Sequence, residues 1–158
     1  GRLAGRIFNV TWLTRGEADL SAIKEFISRL KGGAVMIIAP EGTRSKTASL
    51  LKAEPGAIYI ANAANAGIIP VALTGTEDAD VVTRLKKFKR LKITITAGEE
   101  MYYPPNIKAV KGAERDMLLQ NSVDELFCRI AAMLPERYRG YYKDFPLTKE
   151  LLMKKESV

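Results

Sequence analysis

Histidine is absent from all 158 residues. The sequence therefore offers no imidazole, the side chain best suited to taking a proton near neutral pH. Cysteine occurs once, at Cys128, so no internal disulfide can form and nothing asks for an oxidising compartment. Cys128 lies in an apolar helical pattern and reads as an inert core thiol. The chain opens with Gly1 and lacks a charged-then-apolar signal pattern. Internal repeats and low-complexity tracts are also missing. No metal site and no cofactor is read from the remaining residues.

What is present suits a folded domain. Apolar residues make up 47% and charged residues 27%, which excludes a disordered chain. The length suits one domain with a sizeable core, expected over residues 1–143 with 144–158 as a C-terminal tail. The net charge of +7 points to an anionic partner: nucleic acid, a membrane surface or a phosphorylated substrate. The longest charge-free run, Gly56 to Gly75, reads GAIYIANAANAGIIPVALTG and is long enough to cross a bilayer. Asn62, Asn65, Gly67 and Pro70 interrupt it with polar and turn chemistry that lipid would leave unsatisfied. It reads instead as a helix stopped at Gly67, then a short buried strand.

Periodicity sets the rest of the order. Ile7 to Leu13 is rich in β-branched and aromatic residues and predicts a strand. Leu20, Ile23, Ile27 and Leu30 recur at helical spacing, capped by Asp19 or Ser21 and ended by Gly32-Gly33. Ala34 to Ala39 is a continuous apolar run, the pattern of a strand buried on both faces. Glu41 to Leu51 is a polar loop, and Pro55 suits the first turn of a helix reaching about Ala66. Ile68 to Leu73 and Lys92 to Ala97 predict two more strands. Ser122-Val-Asp-Glu125 is a capping-box pattern; Leu126, Ile130, Met133 and Leu134 follow on one face until Pro135. The alternation predicts an α/β domain with a largely parallel central sheet flanked by helices. Ala34 to Ala39 and Ile68 to Leu73 are expected to be adjacent and parallel, joined by a right-handed crossover.

Ligands in such sheets bind beyond the carboxyl ends of the strands. Pro40-Glu41-Gly42-Thr43-Arg44 stands at one of those ends. Arg44 is a planar, permanently charged fork suited to phosphate. Gly42 permits a positive φ or a close approach of ligand to backbone. Thr43 offers a hydroxyl, and Glu41 a carboxylate that can orient a hydroxyl or hold Arg44. Read alone, the stretch is equally a solvated turn with a surface ion pair, since short motifs match by chance.

Its context narrows the choice. Thr14-Arg15-Gly16, Pro40-Glu41-Gly42-Thr43-Arg44-Ser45 and Ile69-Pro70-Val71 resemble, in order, the second, third and fourth sequence blocks of the glycerol-phosphate and lysophosphatidic acid acyltransferase family. Gly56 to Ala61 fits the family's glycine-led helix, and the resemblance covers roughly Gly5 to Glu99. It implies a glycerolphosphate-acyltransferase-like fold. It also implies transfer of a fatty acyl group from acyl-CoA or acyl carrier protein to a hydroxyl of glycerol phosphate or a lysophospholipid, in phospholipid biosynthesis. By position, Arg15 and Arg44 would hold the acceptor's phosphate as a clamp, and Glu41, Gly42 and Thr43 would shape its site. A peripheral place on the cytoplasmic face of a membrane follows from the same resemblance.

The family's first block carries a histidine base and, five positions later, an aspartate that orients it. That block is missing here. Two accounts are open: a chain that begins after the block, which is the one expected, or a natural loss of the base. Either way, the chain alone is expected to be inactive. Glu54 also stands before Pro55-Gly56 where the family often has lysine. A non-catalytic phospholipid-binding module of the same fold is the alternative. Nucleic-acid binding is disfavoured, because no aromatic-interleaved platform or DNA-binding motif accompanies the charge.

Two basic stretches stand apart from the blocks. Thr83 to Lys92, TRLKKFKRLK, holds six cations, with Leu85, Phe88 and Leu91 at a spacing that would put them on one helical face. It reads either as a membrane-facing patch or as a solvated loop. Arg137, Tyr138, Arg139, Tyr141 and Tyr142 form a basic aromatic stretch, expected to pack against the domain rather than lie on a membrane.

Overall fold

The computed structural model describes residues 20–76, 78–103, 107 and 109–156. The strand expected at 7–13 and the Arg15-Gly16 loop lie outside them. Helix α1, Leu20–Lys31, follows the apolar spacing read from the sequence. It ends as expected at the two glycines: the Ala34 N–H reaches back to the Arg29 carbonyl, and Gly33 takes a positive φ. Helix α2, Gly56–Ala64, begins after Pro55 and packs against α1. Its stop is Asn65, in the left-handed conformation at φ 55°, two residues before the expected Gly67. Asparagine tolerates that conformation, so no glycine is needed there. Among the described residues no helix is long and apolar enough to cross a membrane.

The sheet differs from expectation. Strands β1, Val71–Thr74, and β2, Thr94–Ala97, pair antiparallel, Val71 opposite Ala97 and Thr74 opposite Thr94. An isolated bridge between Ile68 and Met101 continues the pairing. Helix α3, Asp78–Lys86, lies between the two strands in sequence. It is not a crossover, because the chain leaves β1 at Gly75 and returns beside it at Lys92. The excursion closes on itself, so β2 comes back antiparallel.

Residues 34–39 are not a strand, and no parallel sheet forms among the described residues. A strand exists only through a ladder partner, and 34–39 has none there. Burial on both faces also fails, with Val35 94% and Ile37 97% exposed. An apolar run records a preference for burial without naming the neighbour that supplies it.

The core forms around helix α4, Gly112–Met133. Leu119, Val123, Leu126, Phe127, Ile130 and Ala131 recur at helical spacing and are buried. Against this face pack α2, β1, a 3-10 turn at Gly140–Tyr142 and helix α5, Pro146–Glu156. The capping box read at Ser122 is not a helix start. Ser122 sits inside α4 with its hydroxyl donating to the Leu118 carbonyl, a local bond that leaves the helix unbroken. Leu134 before Pro135 turns extended and ends α4 as expected.

Tyr142 is fully buried, ringed by Phe127 at 5.2 Å and Phe145 at 5.0 Å. Its hydroxyl accepts the Ala53 N–H at 3.0 Å and donates to Asp124 Oδ1 at 2.8 Å. Gln120 Nε2 donates to the Ala53 carbonyl and to the same carboxylate. Tyr142→Phe keeps the ring but strands the buried Ala53 N–H. It is expected to cost about 1–3 kcal/mol in denaturant unfolding. Tyr141→Phe, at a half-exposed ring, is expected to change stability by less than about 0.5 kcal/mol.

Candidate functional site

Residues 40–55 form a loop pinned at both ends. The Ala39 carbonyl accepts the Gly42 N–H at 3.1 Å, closing a turn with Pro40 and Glu41 at its centre. Gly42 has φ +63°, where a side chain would be strained. The Pro40 carbonyl accepts the Glu54 N–H at 2.9 Å. Glu41 turns inward, and its Oε2 accepts the Leu51 N–H at 2.7 Å. Gly42, Thr43 and Arg44 are exposed at the surface of the same turn. The turn thus brings together Glu41, Gly42, Thr43 and Arg44 by chain proximity. Arg15, the expected partner of Arg44, lies outside the described residues.

Sequence reasoning missed two supports of this loop. Ser45, Thr47 and Ser49 form a chain of hydroxyls, 3.1 Å and 2.9 Å apart. The C-terminal segment grips the loop's far side: the Leu50 N–H donates to the Tyr138 carbonyl, and the Tyr141 N–H donates to the Leu50 carbonyl, both at 2.9 Å. Gly140 makes this approach possible, since a Cβ there would lie 2.1 Å from the Leu50 oxygen. A glycine inside Arg139-Gly140-Tyr141-Tyr142 was the available signal. The expectation that this aromatic stretch packs on the domain holds, with Tyr138 and Tyr142 buried.

Beside the turn, the described residues enclose a cleft of about 560 Å³. Its walls are 35–39 on one side and 67–73 on the other, with Ala57, Ile60 and Ala61 of α2 and Leu126, Phe127 and Ile130 of α4 beneath. Every lining residue except Glu41 is of an apolar type or glycine. Glu41 is the charged residue in the lining. Polar chemistry therefore stands at one end of an apolar cleft, an arrangement that suits an amphiphile with a phosphate and a hydrocarbon chain.

Partial burial raises the Glu41 carboxyl above the ordinary value of 4.5, against the lowering effect of the Leu51 N–H. An acid raised in the fold contributes stability that is present below 4.5 and lost as pH rises through its folded value. Glu41→Gln, which keeps an oxygen for Leu51, is therefore expected to match the parent in acid and to exceed its melting temperature at neutral pH. Melting curves across that range measure it. A variant less stable at neutral pH would show that the charged hydrogen bond outweighs the burial.

Comparison with known proteins bears on the first half of the chain. Residues 2–74 match the family model Acyltransferase. A stretch of 60 residues is 45% identical to a Cocos nucifera protein named 1-acyl-sn-glycerol-3-phosphate acyltransferase. The match covers 37% of this chain and 20% of that relative, so the chain matches about one fifth of the relative's length. No solved structure matches the chain. The family match ends with β1; α4, α5 and the turn that grips Leu50 lie beyond it. Residues 2–74, the part of the chain that is similar to the acyltransferase family, carry the Pro40–Arg44 turn and both walls of the cleft.

Proposed function

We propose that this chain binds the acceptor of a phospholipid-forming acyl transfer, a glycerol phosphate or lysophospholipid. The observation that carries the reading is the position of Glu41, which closes the motif turn and also lines the apolar cleft. The acceptor's phosphate lies at Arg44, with Arg15 as the second cation of the clamp. Thr43 and the Gly42 backbone shape the glycerol site. Hydrocarbon, from the acceptor or from the acyl donor, occupies the cleft. Its volume falls within the range of about 300–1,000 Å³ usual for small-molecule sites.

The reaction breaks the thioester C–S bond of acyl-CoA or acyl carrier protein and forms an ester C–O bond. The acceptor hydroxyl gives its proton to a base, and the thiol leaves. These residues bind and orient; they do not supply the base. The chain has no histidine, and Glu41 Oε2 is engaged by the Leu51 N–H. A second reading, a phospholipid-binding module without chemistry, is favoured by that missing imidazole. A histidine followed five positions later by aspartate, upstream in the same reading frame, separates the two in favour of the enzyme.

Two outcomes are expected of the purified chain. It shows no robust turnover of acyl-CoA with glycerol-3-phosphate or lysophosphatidic acid, because losing a general base costs about a hundredfold to ten-thousandfold. It binds lysophosphatidic acid in calorimetric titration, and Arg44→Lys weakens that binding about tenfold or more while leaving palmitate binding unchanged. Lysine keeps the charge but loses the two-pronged hydrogen bonds, worth about 1.5–3 kcal/mol. Equal affinities for parent and Arg44→Lys would remove the phosphate role.

A further inference from the structure

The cations beyond β1 have no part in the cleft. Helix α3 ends at Lys86, and Lys87 donates its N–H to the carbonyls of Thr83 and Arg84. Two residues on, the Lys89 N–H returns to the Arg84 carbonyl at 2.8 Å, and Arg84 Nη1 reaches the Arg90 carbonyl at 3.5 Å. The residue inside this closed turn is Phe88. It has φ +51°, so it does not continue the helical face that the sequence spacing suggested.

That position in a helix-ending turn usually belongs to glycine, because a Cβ is strained there. Phe88 occupies it with 99% of its surface exposed. Two unfavourable features thus meet on one residue, a strained backbone and an aromatic ring in water. Around it, Arg84, Lys86, Lys87, Lys89, Arg90 and Lys92 are all exposed. From Val81 to Gly98 the sequence has no Asp or Glu, and the acids Asp78 and Asp80 stand in the opposite end turn of α3. Strain held at an exposed apolar tip is a feature to explain by function. A cationic ring around an aromatic tip complements a surface that is anionic outside and apolar beneath.

We propose that this turn docks on an anionic phospholipid bilayer, with Phe88 inserted at the headgroup–acyl boundary and the six cations on lipid phosphates. Each cation near an anionic leaflet strengthens binding about fivefold, and burial of the ring adds about tenfold or more. The turn sets the ring outward before contact, so little ordering is needed on docking. A nucleic acid would use the charge but not a lone aromatic tip. The proposal stands apart from the acyl-transfer reading, because neither Phe88 nor these cations line the cleft.

Co-sedimentation of the full chain with vesicles tests it. The parent is expected to bind vesicles of equimolar phosphatidylcholine and phosphatidylserine and to ignore vesicles of phosphatidylcholine alone. Phe88→Gly relieves the strain, so its melting temperature is expected to equal or exceed the parent's while vesicle binding falls about tenfold or more. Lys87→Glu with Lys89→Glu is expected to fall further. Phe88→Trp is expected to bind and to shift its fluorescence to the blue on anionic vesicles. Failure of the parent to bind, undiminished binding by Phe88→Gly, or equal binding to neutral vesicles would overturn the proposal. So would tighter binding to a duplex oligonucleotide that Phe88→Gly leaves intact. These outcomes are separable from the acceptor reading, because lysophosphatidic acid binding in the cleft is read with Arg44→Lys and not with Phe88→Gly.

Discussion

The hydroxyl of Tyr142 is the interaction on which the rest of the molecule depends. It accepts the Ala53 N–H and donates to Asp124, joining the last residues of the motif loop to the central helix. Ala53 is buried, so its N–H cannot turn to water if the hydroxyl is lost. Gln120 satisfies the Ala53 carbonyl from the same helix. The loop is thereby held at Ala53 by both of its backbone groups, at Leu50 by the C-terminal turn and at Glu54 by Pro40. A polar loop with little apolar side chain to bury is made rigid by hydrogen bonds from outside it. This placement holds Glu41 against the cleft.

The two halves of the chain share the work unequally. Residues 2–74 carry the family match and the polar turn. The helix α4 and the segment after it, outside that match, supply part of the cleft's floor and the grip on Leu50. The candidate site is therefore a joint product, with the polar turn on the first half and its support on the second. Gly140 shows the dependence in one atom: any Cβ there would strike the Leu50 backbone and push the loop outward.

How much of this was legible in the sequence varied with the kind of signal. Helices with strong local marks were readable: the Gly32-Gly33 end of α1, Pro55 before α2 and Pro135 after α4. Each rests on backbone chemistry that acts within a few residues. The sheet was not readable, because the apolar runs at 34–39 and 68–73 gave burial preference without pairing partners. Only the close approach of Gly75 to Lys92 determines that β2 returns antiparallel. The capping pattern at Ser122 misled because a serine inside a helix satisfies its hydroxyl on the preceding turn as readily as at a cap. Of the site, the turn and its residue types could be read directly. The cleft beside it and the Tyr142 anchor could not, because both are made by residues far apart in the chain, such as Ala53 and Tyr142.

The central claim is that the motif turn and the apolar cleft form one amphiphile site. Photocrosslinking with lysophosphatidic acid carrying a diazirine in its acyl chain tests it most directly. The account predicts adducts on cleft residues such as Ile37, Ile60 and Phe127, suppressed by Arg44→Lys at limiting ligand. Adducts confined to residues outside the cleft, or cleft adducts indifferent to Arg44→Lys, would contradict it.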